Sequence, residues 1–260
     1  MSGIVYNDNY EDVEIRDNTT LFRITRPSYS DPVNLLNGQG SFYSQGRYNY
    51  LQQATSYCSD NIFICISEVL FHMYEISQRK LKNNDMRGFR TESNKRLELV
   101  VFNTNKIENI AYIDSDEGRQ NYKLNPTTIT HSDTIYSELR DASNNVRLNK
   151  RVGMITPSAR HSVGFVIVLF GDHSASVKNI DFKFPIKLSL LSEDLKMTTD
   201  NSLFSPFKIR INQTIGMFEF DTKYFKKNYN YLKPIPTSST GKISFSRFFY
   251  EKNYPKAAIL

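Results

Sequence analysis

TPSARHSVGFVIVLF, Thr156 to Phe170, decides how the rest of the chain is read. Its second half, SVGFVIVLF, is apolar without alternation, so both faces of the strand it predicts must be covered, as in the interior of a sheet. Its first half, TPSAR, places a Ser and an Arg in a turn at the mouth of that strand. Such turns often carry ligand contacts, and equally often do no more than admit the strand.

Outward from this run, other elements follow. TTLFRITR, Thr19 to Arg26, alternates as a strand does. LELVVF (Leu97 to Phe102) and ENIAYID (Glu108 to Asp114) predict two more strands. A loop punctuated by Pro27, Pro32, Gly38, Gly40 and Gly46 separates the first strand from a helix over Asp60 to about Lys80, with Ser59 or Asp60 as its N-cap. A weaker helix is predicted over Ser132 to Asn144. VKNIDFKFPIKLSLL, FKIRINQTIGMFEFD and GKISFSRFFY make the last third mostly β. The polar stretch Ser192 to Ser202 marks a boundary. The expected organisation is an N-terminal segment (1–18), an α+β domain (19–190) and a β-rich C-terminal extension (191–260) packed on it.

The 260 residues suffice for one large domain with an extension, and 39% hydrophobic with 13% aromatic residues places the chain among globular proteins. No apolar run reaches the length of about 20 residues that a membrane span needs. The N-terminus is acidic and lacks the layout of a signal peptide, so a cytoplasmic protein is expected. Cys58 and Cys65 read as ordinary thiols of a reducing compartment. Neither they nor the four histidines show metal-ligand spacing, so no metal is expected. The G-x-S-x-G, H-E-x-x-H and P-loop patterns are missing. Eight Lys or Arg against one acid lie between Lys223 and Lys256, so the net charge of +6 belongs to the tail. Within it KYFKKNYNYLK, Lys223 to Lys233, could bind nucleic acid through phosphate contacts and stacking, or be a solvated face.

Three features carry chemistry. Glu68 sits inside IFICISEVLF, an apolar run predicted to be helical. A buried carboxylate costs several kcal/mol unless it is paired, so it signals either a working group or a solvated stripe shared with His72 four residues on. GRYN, Gly46 to Asn49, offers a guanidinium fork beside aromatics, suited to clamping phosphate or carboxylate; a surface Arg in a turn is the other reading. Ser158 in TPSAR is the third.

Taken in order, LFRI (Leu21 to Ile24), GRYN, ATSYCS around Tyr57, SEVLFH (Ser67 to His72), GMITPSAR (Gly153 to Arg160) and VIVLF resemble the RES domain, a family named for an Arg, a Glu and a Ser. The resemblance covers roughly Thr19 to Phe170. The chain departs from it at Cys65, where relatives often carry Ala, and at Phe170, where they often carry Asn. The resemblance implies an ADP-ribosyltransferase-like fold, a mixed domain whose bent, split β-structure forms a cleft for NAD+. It implies cleavage of the nicotinamide–ribose bond by hydrolysis or phosphorolysis, or transfer of ADP-ribose to a protein target by a secreted effector. It puts Glu68 at the oxocarbenium-like transition state and Arg47 on the pyrophosphate or the ribose-phosphate side, with Tyr48 and Asn49 beside it. Tyr57 falls on or beside the nicotinamide ring, Ser158 on the nicotinamide ribose or on Glu68, and Arg23 and Arg160 are either further phosphate contacts or members of structural ion pairs. It also implies a helix-turn-helix antitoxin as protein partner.

Overall fold

The computed structural model describes residues 3–6, 12–62, 64–65, 68–69, 72, 76, 79–80, 83–88, 94–113, 116–122, 124, 136–158, 165–189, 209–212 and 217–220. Eleven strands are placed among them: β1 (Ile4–Tyr6), β2 (Asp12–Ile15), β3 (Thr19–Thr25), β4 (Thr55–Cys58), β5 (Asn94–Thr104), β6 (Ile107–Tyr112), β7 (Gly153–Pro157), β8 (Phe165–Phe170), β9 (Val177–Ser189), β10 (Ile209–Asn212) and β11 (Met217–Phe220). The domain is mixed α+β, as the sequence predicts, and its β-structure is divided between two sheets. One has six strands in the order β1-β2-β6-β7-β8-β4; the other has three, β3-β5-β9. A single antiparallel bridge, Phe22 to Ser59, links them where β4 runs out. The pair β10–β11 is a small sheet of its own.

β8 shows why its sequence is apolar throughout. It lies between β7 and β4, and its side chains alternate between two cores. Ile167 and Leu169 join Leu21, Val100, Phe102, Ile110 and Ile155 between the two sheets. Val166, Val168 and Phe170 face the other way and meet Tyr48, Ile64 and the helix Tyr136–Leu148. The six-stranded sheet is thus a middle layer, covered by strands on one face and helices on the other.

That helix exists because β6 and β7 are parallel. Parallel neighbours need a long crossover, which is usually helical, and here the crossover also holds the short helix Asp116–Asn121. Leu139, Ala142, Ser143 and Val146 form its buried stripe, at the spacing of one helical face. It ends with Lys150 at φ 59° and a bond from Arg151 N to Val146 O, a left-handed closing turn of the Schellman type. Its start lies four residues after the predicted Ser132, and 131–135 fall outside the described residues.

Several expectations change. The segment ahead of Thr19 supplies two strands: β2 pairs with β6, and Arg151 clips it there through a 2.7 Å bond to Asp12. The Pro- and Gly-punctuated loop contains helical turns at Pro32–Leu35 and Gln39–Phe42. Gly38 permits the second, because it has φ 71° and a Cβ there would lie 2.6 Å from Thr55 N. The described residues between 62 and 80 are helical, but the cap is Asn61, whose Oδ1 accepts from Ile64 N at 3.4 Å. Ser59 Oγ donates to Phe165 O at 2.7 Å and accepts from Asn61 N at 3.1 Å, so it closes the turn ahead of the helix. The Ser192–Ser202 boundary, GKISFSRFFY and the Lys223–Lys233 run lie outside the described residues. No helix among the described residues is long and apolar enough to cross a membrane.

Candidate active site

The GRYN loop leads from the Gln39–Phe42 turn into β4, and a hydrogen-bond network fixes it. Asn49 is fully buried. Its amide donates to the carbonyls of Ser41, Ser44 and Tyr50 at 3.1, 2.8 and 3.1 Å. Its Oδ1 accepts from the Tyr57 hydroxyl at 2.7 Å, and that hydroxyl in turn accepts from Tyr48 N at 3.2 Å. A Cβ on Gly46 would stand 2.4 Å from Asn49 Oδ1 and 2.8 Å from the Tyr57 hydroxyl, so glycine is what lets the strands of this knot close. Asn49, expected beside a ligand, instead has its polar atoms spent on holding the loop.

Arg47 is buried inside this frame, 9% exposed. Its guanidinium lies 5.6 Å from the Tyr48 ring and 5.9 Å from that of Tyr136, both within cation–π range. Tyr48 is buried too, and its hydroxyl meets Thr156 Oγ1 at 3.2 Å. It therefore acts as a support under Arg47, where a ligand contact was expected. Tyr57 is half-buried, and burial raises its hydroxyl above the usual phenol range. With the hydroxyl committed to Asn49 and Tyr48, what it offers a ligand is its ring.

Thr156 lies near the end of β7, and Ser158 follows two residues later. Ser158 is buried, and its Oγ donates to Glu68 Oε1 at 2.7 Å. Glu68 itself is half-buried, while Ile62, Ile64 and Cys65 on the same helical segment are buried and His72 is exposed. The described residues of the segment are thus buried at some positions and exposed at others. Glu68 is half-buried beside these buried residues, and its carboxylate is held by a buried donor.

Arg23 projects from β3 and donates to the Leu35 carbonyl. Burial lowers its pKa, opposed by the neighbouring Cys58 and Cys65 thiols and the Tyr57 hydroxyl. Both thiols are free, and burial pushes Cys58 up to about 12 and Cys65 upward as well, so neither is primed as a nucleophile. Arg160 lies outside the described residues. Among the described residues no group of three or more His, Cys, Asp or Glu side chains is placed to hold a metal ion.

Arg47, Tyr48, Tyr57, Glu68 and Ser158 thus fall into two bonded groups, joined through Thr156 on β7. The family model of the RES domain matches residues 20–189, more than half of the chain. This chain belongs to the RES-domain family. No curated protein matches it. Among solved structures it is similar to the M. tuberculosis MbcT-MbcA toxin-antitoxin complex, at 15% identity and a TM-score of 0.46, over 66% of this chain and 86% of that one.

This RES domain also holds polar groups that its sequence did not advertise. The Phe170 ring centroid lies 3.8 Å from the Arg147 guanidinium carbon. Arg147 Nη2 donates to Thr55 Oγ1 at 2.7 Å, and burial lowers its pKa to about 10. Thr156 and Arg140 were missed as well. Their sequence signals are slight: a Thr in a short strand, and an Arg on a helix whose partners lie some ninety residues away.

Proposed function

We propose that this RES domain cleaves the nicotinamide–ribose bond of NAD+, by hydrolysis or phosphorolysis, on an ADP-ribosyltransferase-like fold, and that it acts as a cytoplasmic toxin. Family membership supports the reading. The observation that carries it is the Glu68 carboxylate, on a half-buried residue and oriented by a buried Ser158 hydroxyl at 2.7 Å.

In this mechanism the C–N bond breaks with its electron pair leaving on nicotinamide, and positive charge develops on the ribose. A fixed carboxylate stabilises that charge more than it stabilises the ground state, which is what accelerates the step. The Ser158 hydrogen bond holds the carboxylate in one orientation, which lets it act on the reacting sugar without reorganising. Arg47 holds the pyrophosphate, and the Tyr57 ring borders the nicotinamide. Water or phosphate then takes the anomeric carbon. No metal enters the scheme. In the cell, a helix-turn-helix antitoxin that covers the cleft would keep the enzyme silent.

Incubating the full-length chain with NAD+ labelled in its adenosine half tests this directly. Free ADP-ribose or its 1″-phosphate is the expected product. Label fixed on protein would instead make it a mono-ADP-ribosyltransferase, and intact NAD+ after long incubation would refute both. Expression without a partner should arrest growth, with cellular NAD+ falling before other nucleotides.

A further inference from the structure

The helix Tyr136–Leu148 grips the Arg47 loop from one side. Arg140 Nε donates to the Gly46 carbonyl at 2.8 Å, and Ser143 Oγ, one turn on, donates to the Tyr48 carbonyl at 2.7 Å. Those two carbonyls bracket Arg47. The Arg140 guanidinium lies 5.9 Å from the Tyr50 ring and 5.5 Å from the Tyr136 ring, the same ring that Arg47 approaches at 5.9 Å. Tyr50 is itself anchored, its hydroxyl donating to Asp141.

Arg140 is therefore fixed by one hydrogen bond and two aromatic rings. Among the described residues only its Nε is hydrogen-bonded, and it forms no ion pair. Its two terminal nitrogens, with four N–H donors, are uncommitted on a half-buried side chain. An arginine held in this way has already lost its rotamer freedom, so an incoming anion meets a fork already in place. A second guanidinium against the same ring adds repulsion that an anion between the two would relieve. A single phosphate oxygen pair satisfies one fork, and a pyrophosphate has oxygens for both.

We propose that Arg140 is a second anion contact beside Arg47, and that the two together take the adjoining phosphoryl groups of a pyrophosphate-bearing ligand. The identity of that ligand rests on the NAD+ reading above; the anion site does not.

The test is calorimetric binding of inorganic pyrophosphate, and of NAD+, to the full-length chain and three variants. Arg140→Met keeps the length and the ring contacts but removes the charge. It should weaken both ligands by about tenfold or more, in line with a lost charge-assisted hydrogen bond, and flatten the ionic-strength dependence. Arg140→Lys, which keeps the charge without the fork, should recover part of the affinity. Ser143→Ala loosens the same loop without removing a cation and should change binding far less. Parent-like pyrophosphate binding by Arg140→Met would overturn the proposal, as would an equal loss in Ser143→Ala, which would make Arg140 a loop support only. A parent chain that binds no pyrophosphate also overturns it. If pyrophosphate binding depends on Arg140 while NAD+ is left intact, the anion site stands and the NAD+ reading falls. If NAD+ is consumed and Arg140→Met leaves its KM unchanged, the reverse holds.

Discussion

Ser158 Oγ donates to Glu68 Oε1 at 2.7 Å across 90 positions of sequence. The serine is buried and the glutamate half-buried, so the bond ties the carboxylate to a fixed base. A glutamine at 68 could still accept this bond, which separates charge from shape.

Glu68→Gln is accordingly expected to fold as the parent does, with KM for NAD+ little changed and turnover reduced by roughly a hundredfold or more, the usual loss when one preorganised stabilising group is removed. Ser158→Ala leaves the charge but not its orientation and should cost less. Initial rates over a range of NAD+ concentrations, with circular dichroism as a fold check, decide the matter. An unfolded Glu68→Gln protein, or one turning over at the parent rate, would make the carboxylate structural.

Arg47→Ala should move the other constant. Its expected partner is a ground-state phosphate, so KM rises while turnover at saturation changes little. A fall confined to turnover would place Arg47 at the reacting centre instead.

Tyr57→Phe removes the hydroxyl that Asn49 Oδ1 and Tyr48 N both use. Depriving buried polar groups of a partner costs about 1–3 kcal/mol, so the urea midpoint should drop by a measurable amount. Gly46→Ala attacks the same knot sterically, with its Cβ 2.4 Å from Asn49 Oδ1, and about 1–3 kcal/mol of overpacking is expected. Parent-like midpoints in both variants would show that the loop relaxes freely.

His173 gives a pH signature. Burial lowers its pKa, opposed by contacts with the Phe170 and Val152 carbonyls and with Asp172. The unfolded chain therefore binds the proton at a higher pH than the folded one, and stability must rise with pH through that interval. The penalty is missing above the ordinary histidine pKa and grows as the pH falls below it. Chemical denaturation between pH 5 and pH 8 should show this slope, and His173→Gln should flatten it. An unchanged slope in the variant would assign it to other groups.

The sequence by itself determined the long elements and named the candidates for the site. An unbroken apolar run specified β8 as a strand covered on both faces, and Leu139, Ala142 and Val146 recur at helical spacing, because burial against a layer leaves its period in the chain. The family likeness picked out Arg47, Tyr57, Glu68 and Ser158 by order and spacing together. Tertiary structure decided the rest. TSYC and GMITP have too few residues to show a period, and β4 and β7 are strands because β8 pairs with each of them. That the Glu68 carboxylate is held by a hydroxyl 90 residues away could not be read from its own helix. That Asn49 ties the loop, and that Arg140 stands beside Arg47, are also facts about partners distant in sequence. Local propensity and periodicity report what each residue must bury; only the folded chain settles what each polar atom must bond.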